Sequence, residues 1–219
     1  MSLLTTFTLL AICLAAIGQT IPTKQDKRQK TPTNYPDTYI DTESTYTDST
    51  GRVVIIQNSL PKGMGSLDST GRLGYYDSSG TLFGYVVLWT RVTNKSATPL
   101  NLTINFPADS FAIFPSSSSY VKLFLLPETM PLDKESSYDY GVTGLKSFLD
   151  TGFNKPTMLQ RTINPKEECL FYMAVLTYEA WGVVRTGVVL KDNDLFYRIS
   201  IVPALDSALI PCGQMVFEN

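Results

Sequence analysis

The sequence of 219 residues predicts an all-β protein built as an antiparallel sandwich. Apolar residues recur at every second position over several short runs, which is typical of half-buried strands. Turn-forming residues separate these runs at short intervals, which favours a sandwich of about eight strands. Only one segment has the apolar spacing of a helix, so helical layers are not expected.

Two strands are the clearest. From Leu100 to Phe106 apolar and polar residues alternate, which predicts one face in the core and the other in water. The run from Leu82 to Val92 is apolar on both faces and predicts a central strand. Further strands are predicted at Val53–Gln57, Tyr120–Leu126, Cys169–Tyr178, Val183–Leu190, Leu195–Val202 and Leu209–Phe217.

The connections carry their own signals. Three segments that begin with Asp and end with Gly, at residues 48–51, 68–71 and 77–80, predict tight turns. They lack the ligand set of an EF-hand, so no metal site is predicted. Thr143–Asp150 predicts one short helix with Gly152 as its C-terminal cap, carried over one end of the sandwich by a long connection that reaches Pro165. The residues from Tyr39 to Thr50 fit either a tether or a first edge strand.

The segment from Val92 to Asp109 resembles the strand-turn-strand of immunoglobulin-like export modules, in which an Asn-x-Ser turn separates two paired strands. This resemblance implies an immunoglobulin-like sandwich. A jelly-roll-like arrangement of the same strands is the alternative.

The first residues predict export. Residues 3–18 contain no charge, form an apolar run and end in small residues, as a signal peptide does. The run is too short for a stable membrane span, so we expect cleavage after Gly18 and a mature protein that is periplasmic, cell-surface or secreted. Residues 19–38 are polar and contain proline, which predicts a flexible tether before a single domain over residues 39–219.

Composition restricts the chemistry. The chain has no histidine, which removes the usual general base of hydrolases and the commonest zinc ligand. Four of the 18 basic residues and one of the 20 acidic residues lie between Lys24 and Lys30, which leaves 14 basic and 19 acidic residues in the rest of the chain. This excess of negative charge is unsuited to binding nucleic acid. We expect no cofactor.

Two cysteines follow the signal peptide, Cys169 and Cys212. In an oxidising compartment they can pair, and a disulfide across so long a loop would add about 4 kcal/mol in the chain-entropy model. The alternative is two buried thiols that pack as small apolar side chains.

Aromatic residues and carboxylates in the predicted loops are the candidate binding residues, because aromatic faces stack on sugar C–H surfaces and acids accept hydroxyl donors. Tyr75 and Tyr76 lie between two turns. The candidate ligand-binding residues are Tyr138, Tyr140, Glu179, Trp181 and Arg185. The simpler interpretation is that these aromatic residues cover the edges of the core.

The sequence thus favours an exported, non-catalytic module that binds a protein or glycan partner through loops. One alternative is a carboxylate enzyme acting on polysaccharide, which requires two facing acids. Its candidate acids are Asp133, Glu135, Asp139, Glu167, Glu168 and Glu179. The other alternative is an extracellular proteinase inhibitor that presents the loop Ser116–Ser119.

Overall fold

The computed structural model describes residues 39–67, 69–113, 118–127, 134, 137–180, 182–202 and 205–218, with only the backbone given for 205 and 206. The signal peptide and tether predicted over residues 1–38 lie outside the described residues. The strands of the described part are β1 (Ile40–Thr47), β2 (Val53–Ser59), β3 (Lys62–Gly63), β4 (Tyr75–Tyr76), β5 (Leu82–Asn94), β6 (Leu100–Phe106), β7 (Phe111–Ala112), β8 (Tyr120–Leu125), β9 (Thr157–Ile163), β10 (Glu168–Tyr178), β11 (Val183–Lys191), β12 (Asp194–Val202) and β13 (Leu205–Phe217). A 3-10 segment, Tyr138–Gly141, and one helix, α1 (Leu145–Gly152), lie between β8 and β9.

The strands form two antiparallel sheets that pack as layers. The large sheet has the order β1-β2-β5-β10-β8-β7, and β3 and β4 also pair with β5. The small sheet has the order β11-β12-β13-β6-β9. This arrangement confirms the predicted all-β sandwich. The eight predicted strands begin within one residue of their predicted starts, except β13, which begins four residues earlier.

The inner core lies between the two sheets. On β6, Leu100, Leu102, Ile104 and Phe106 are at most 1% exposed, while Asn101 and Asn105 face water. The alternation predicted for this strand is therefore confirmed. Because the apolar side chains of β6 meet those of the large sheet, this core fixes the register of both layers.

A second core covers the opposite face of the large sheet. Phe83 and Trp89 of β5 belong to this outer core, while Val86 and Leu88 of the same strand belong to the inner one. The 3-10 segment and α1 cover the outer core through Tyr140 and the helix residues Leu145 and Leu149. Burial on both faces explains why β5 is apolar throughout.

The helix differs from its prediction in position and role. It begins at Leu145, Gly152 is its last residue rather than its cap, and Phe153 follows as the C-cap. It covers the outer face of the large sheet and not one end of the sandwich, because its buried side chains pack into the outer core.

Among the strands longer than two residues, the sequence left one open and missed one. The segment that fitted either a tether or an edge strand is β1, which pairs with β2 along its length. The predicted long connection contains β9, which pairs with β6 from Thr157 to Ile163. Most β9 side chains are exposed, so this strand lacks an apolar alternation that would have identified it.

The two predicted turns that the structure describes, at Asp48 and at Asp77, are confirmed. Asp48 accepts hydrogen bonds from the backbone of Thr50 and Arg52 at 2.9 and 3.0 Å, and Gly51 has φ +83°. This turn joins β1 to β2, as expected for a hairpin. Asp77 acts in the same way before β5, whereas Asp68 lies outside the described residues.

The turn after β5 corrects the immunoglobulin-like resemblance. The strands that it separates, β5 and β6, belong to different sheets and are not paired. Asn94 is fully buried, and its amide donates to the carbonyl oxygens of Thr98 and Ile163 at 2.8 and 2.9 Å. The Asn-x-Ser segment therefore guides the chain from one layer to the other.

The two cysteines are free thiols, so the proposed disulfide is not formed in this structure. Cys169 lies on β10 in the large sheet, and Cys212 lies on β13 in the small sheet. Both side chains pack at the inner core, Cys169 from the large sheet and Cys212 from the small sheet. The second interpretation offered by the sequence, apolar packing of the thiols, is the one observed.

Side chains of the large sheet protect the outer edge of β11. The Asn58 amide oxygen accepts the backbone N–H of Val188 at 2.8 Å, and its amide nitrogen donates to the carbonyl of Val188 at 3.0 Å. The Tyr46 hydroxyl accepts the backbone N–H of Leu190 at 3.1 Å. Backbone groups that a partner strand would otherwise use are therefore satisfied within the molecule.

Candidate functional site

An aromatic cluster occupies one end of the outer core. Phe83, next to the start of β5, is 1% exposed and has four rings around it. The ring centroids of Phe153 and Tyr178 lie 5.3 and 5.6 Å away, and those of Tyr75 and Tyr120 lie 6.1 Å away. Strand pairing creates this cluster, because Tyr75 lies opposite Phe83 and Tyr120 opposite Tyr178 in the register of the sheet.

A cleft opens beside this cluster, between the β4–β5 turn and helix α1. Its volume is about 510 Å³, and the rings of Tyr75 and Phe153 line it. Polar side chains line the rest of this turn–helix cleft: Tyr76, Asp77, Ser78, Lys146, Asp150, Thr151, Asn154 and Lys155. The cleft thus combines aromatic surface with hydrogen-bond donors and acceptors of both charges.

The β4–β5 turn fixes the position and charge of Asp77. Its Oδ1 accepts hydrogen bonds from Ser79 N and Oγ at 2.9 and 2.7 Å, and from Thr81 N at 2.9 Å. Burial alone would raise the pKa of Asp77, but these hydrogen bonds outweigh it and hold the pKa below its usual value. Asp77 is therefore an ionised acceptor at neutral pH.

Helix α1 supplies the opposite wall. Lys146 and Asp150 form an ion pair of 2.8 Å one helical turn apart. Burial, and then the charge and hydrogen bonding of Asp150, raise the pKa of Tyr75 well above its usual range. The Tyr75 hydroxyl consequently remains protonated and donates to the Asp150 carboxylate.

Tyr76 is the second residue of β4 and lines the cleft next to the β4–β5 turn. The Arg72 guanidinium carbon lies 4.2 Å from its ring centroid, in the geometry of a cation–π contact. The contact covers one ring face and restricts the side chain, which reduces the entropy lost if a ligand packs on the remaining surface.

Tyr120 and Tyr178 extend the aromatic surface beyond the cleft. Their rings stack with centroids 5.0 Å apart, and both side chains are partly exposed. Burial and then the charges of Asp77 and Glu179 raise the pKa of Tyr120, which places this hydroxyl within the field of both acids. A hydrogen bond and the charge of Glu179 raise the pKa of Tyr178.

Glu179 is the residue predicted from sequence that lies at this surface. It follows β10 with φ +49°, its carbonyl accepts the Ser119 hydroxyl at 2.7 Å, and its carboxylate accepts the Ser118 hydroxyl. These bonds tie one end of the proposed inhibitor loop to β10. The remainder of that loop, apart from Ser118 and Ser119, lies outside the described residues.

The other predicted site residues are dispersed. Tyr138 is 58% exposed on the 3-10 segment. Arg185 lies on β11 in the small sheet, where its Nη1 donates to the carbonyl of Val184 at 3.2 Å. Trp181 lies outside the described residues. The structure therefore does not gather the described members of this set into one site.

The prediction that Tyr140 is a surface binding residue is wrong. Its side chain is fully buried, its hydroxyl donates to the carbonyl of Leu60, and its own carbonyl accepts the Tyr172 hydroxyl at 2.6 Å. Positive φ angles at Asp139 and Tyr140, +49° and +56°, turn this ring into the outer core. Local composition gave no sign of this reversal of direction.

Asp139 is also internal. It is 7% exposed, its Oδ2 accepts the Tyr85 hydroxyl at 2.9 Å, and its Oδ1 has no hydrogen-bond partner among the described residues. Burial raises the pKa of Asp139, while Tyr85 and the charge of Lys62 oppose the rise. Lys62 itself lies over the rings of Tyr39 and Tyr140 at 4.2 and 4.1 Å, so the cluster fastens the 3-10 segment to the sheet.

The cleft was missed by the sequence because its walls are distant along the chain. The β4–β5 turn and the helix were each predicted, and Tyr75 and Tyr76 were noted as loop aromatics. Their approach depends on the helix crossing the outer face of the large sheet. The unused signal was the set of polar residues on α1 and just after it, such as Asn154 and Lys155.

The described residues offer no rival site in a second, smaller cavity or in a cluster of metal ligands. The cavity of about 240 Å³ beside the start of α1 is lined by Leu126, Pro127, Val142, Thr143, Gly144, Leu145 and Phe148 and has no charged side chain. Within the described ranges, no three acidic or cysteine side chains come together as ligands for a metal ion. The helical part of those ranges contains no segment of the length and apolarity needed to cross a bilayer.

The fold and the cleft together define an all-β sandwich with a polar and aromatic cleft on its covered outer face. No protein-family model matches the sequence, and no curated protein is similar to it.

Proposed function

We propose that this protein is an exported, non-catalytic sandwich module that binds a saccharide in the turn–helix cleft. The observation that carries the proposal is the combination of Tyr76, Asp77 and Asn154 around one cavity of about 510 Å³. Small-molecule pockets measure about 300–1,000 Å³, and sugars require aromatic surface together with acceptors and donors for their hydroxyls.

Binding fits the electrostatics of the cleft better than hydrolysis does. A glycosidase requires a carboxylic acid with a raised pKa to protonate the leaving group. Asp77 has a lowered pKa and its Oδ1 is already used by the turn. The carboxyl group whose pKa burial does raise, that of Asp139, is a buried part of the 3-10 segment and does not line the cleft.

A saccharide array followed by calorimetry tests the proposal. We expect at least one neutral mono- or oligosaccharide to bind, and Tyr76→Ala and Asn154→Ala to weaken its binding while the melting temperature is retained. Tyr138→Ala is the matched control, because this exposed tyrosine lies outside the cleft. Absence of binding across the array, or binding that depends on Tyr138 and not on Tyr76, would overturn the proposal.

Export is a separate part of the proposal and rests on the apolar run of residues 3–18. Mass spectrometry of secreted material should find a mature N-terminus at or near Gln19. Secreted protein that retains Met1 would refute cleavage.

A second candidate function is binding of a protein partner by the small sheet. Val183 and Val202 lie opposite each other on β11 and β12 and are 54% and 53% exposed, with Leu209 of β13 52% exposed. Arg185 belongs to the same region. If this face binds a protein, Val202→Glu will abolish the complex and leave saccharide binding unchanged.

A further inference from the structure

The aromatic surface of the turn–helix cleft does not end at the cleft. Phe153 lines the cleft and contacts Phe83, and Phe83 in turn contacts the stacked pair of Tyr120 and Tyr178. Two ring-to-ring steps of 5.3 and 5.6 Å therefore connect the cleft with Tyr178. Phe83 is buried, but Tyr120 and Tyr178 are partly exposed, so aromatic surface emerges again beyond the cleft.

Acidic side chains act on the hydroxyls of this second surface. The charges of Asp77 and Glu179 both act on the Tyr120 hydroxyl, and Glu179 directly follows Tyr178 in the chain. The carboxylate of Glu179 also accepts the Ser118 hydroxyl, which holds it in place. Aromatic rings bordered by hydroxyls and carboxylates repeat the chemistry of the cleft itself.

We infer that the ligand is a neutral oligosaccharide chain, with one sugar unit in the turn–helix cleft and a further unit packed on the Tyr120–Tyr178 pair. This inference rests on the proposed saccharide binding. A single cyclic unit occupies only the cleft, whereas a chain can also pack its C–H face on the second pair of rings.

The charges select a neutral chain. Asp77 and Glu179 would repel carboxylated or sulfated sugars at the tyrosine pair, whereas uncharged hydroxyls can donate to these carboxylates. The Tyr120 hydroxyl remains protonated at neutral pH, because burial and the charges of both acids raise its pKa, and so it can donate to a sugar oxygen.

A length series tests the inference on the intact protein. The probes are neutral malto-, cello-, xylo-, manno- and chito-oligosaccharides of one to six units, titrated by calorimetry, with NMR titration for weakly binding monosaccharides. We expect affinity for one of these series to rise about three- to tenfold once the chain is long enough to reach the tyrosine pair. This measurement requires no variant.

Variants then locate the second unit. Tyr178→Leu keeps an apolar side chain against Phe83 but removes the stacking ring, and we expect it to cancel the gain from chain length while monosaccharide affinity is unchanged. Tyr178→Phe is the matched control and should keep the gain. Tyr76→Ala should weaken binding at every length.

The outcomes separate the two proposals. Affinity that does not depend on length, or a Tyr178→Leu effect that is equal at all lengths, overturns the inference and leaves saccharide binding in the cleft intact. A preference for acidic oligosaccharides over neutral ones also overturns it. Absence of binding at every length overturns the proposed function itself.

Discussion

At the scale of single residues, two tyrosines of the same short segment differ in their exposure to solvent. Tyr138 and Tyr140 are two positions apart, yet the first is 58% exposed and the second is fully buried. The backbone between them adopts positive φ at Asp139 and Tyr140, a conformation that is uncommon for residues other than glycine. The ring of Tyr140 packs 6.5 Å from that of Trp89, whereas Tyr138 remains at the surface.

We expect Tyr140→Ala to lower the free energy of unfolding by about 3–5 kcal/mol, because it leaves a cavity in the outer core. It also removes the hydroxyl that bonds to Leu60. Tyr138→Ala is the matched comparison and should cost no more than about 1 kcal/mol, because it removes little buried surface and the hydrogen bond with Tyr85. Urea unfolding of both variants measures the difference, and equal losses would contradict the assigned burial.

Asp139 predicts a dependence of stability on pH. Because burial raises its pKa in the folded protein above the unfolded value of about 3.9, its contribution to stability is fully present below that value. The contribution is lost as pH rises through the folded pKa. Lys62 and Tyr85, which face the carboxyl group, reduce this effect without reversing it.

Replacing Asp139 by Asn should remove this dependence, since an amide keeps an acceptor for the Tyr85 hydroxyl but carries no charge. Denaturant unfolding of both proteins between pH 4 and pH 8 is the measurement. We expect the free energy of unfolding of the variant to increase relative to the wild type as pH rises. Curves that remain parallel over this range would show that Asp139 has an ordinary pKa.

At the scale of elements, the joint between β2 and β11 connects the large sheet to the edge strand of the small sheet. Asn58 makes two hydrogen bonds to Val188 and also accepts the Thr90 hydroxyl at 2.8 Å. Gly187 allows this approach, because a Cβ atom there would lie 2.6 Å from Cγ of Asn58. A single amide thus links three strands across both layers.

A double-mutant cycle tests this joint. Asn58→Ala leaves buried backbone groups without partners, at about 1–3 kcal/mol each, and Gly187→Ala introduces a steric clash. Because the first change removes Cγ and Nδ2 of Asn58, the two atoms with which the second collides most closely, the double variant should be more stable than additivity predicts. Thermal or urea unfolding measures all four proteins, and additive losses would mean that the two residues do not meet.

At the scale of the whole molecule, three layers and not two determine which side chains are accessible. The small sheet covers one face of the large sheet, and the 3-10 segment with α1 covers the other. Cys212 is 2% exposed within this arrangement, and burial raises the pKa of its thiol to about 12. Burial also raises the pKa of Cys169, which is only partly buried.

Thiol alkylation without reductant, followed by peptide mapping, tests the free cysteines. In denaturant we expect both Cys169 and Cys212 to be fully modified. In the folded protein at pH 8, Cys212 should react far more slowly than a free thiol, since the thiolate is the reactive form and access is blocked. Protection of both residues in denaturant would instead reveal a disulfide.

Local patterns determined the strands of this protein, whereas the packing of distant segments determined its site. The alternation from Leu100 to Phe106 and the apolar run of β5 identify strands because side chains on a strand point to opposite faces at every second residue. The strand β9 escaped this reasoning because an exposed edge needs no apolar alternation. Only its pairing with β6 in the structure shows that this segment is a strand.

The sequence by itself thus determined the sandwich class and the turn chemistry of Asp48 and Asp77, because both depend on contacts within a few residues. Only the tertiary structure decided that Tyr140 is internal, that Cys169 and Cys212 lie in different sheets, and that a cleft forms beside α1. These features depend on which segments cover the second face of the large sheet. A one-dimensional pattern shows that an apolar face must be buried, but not which distant segment buries it.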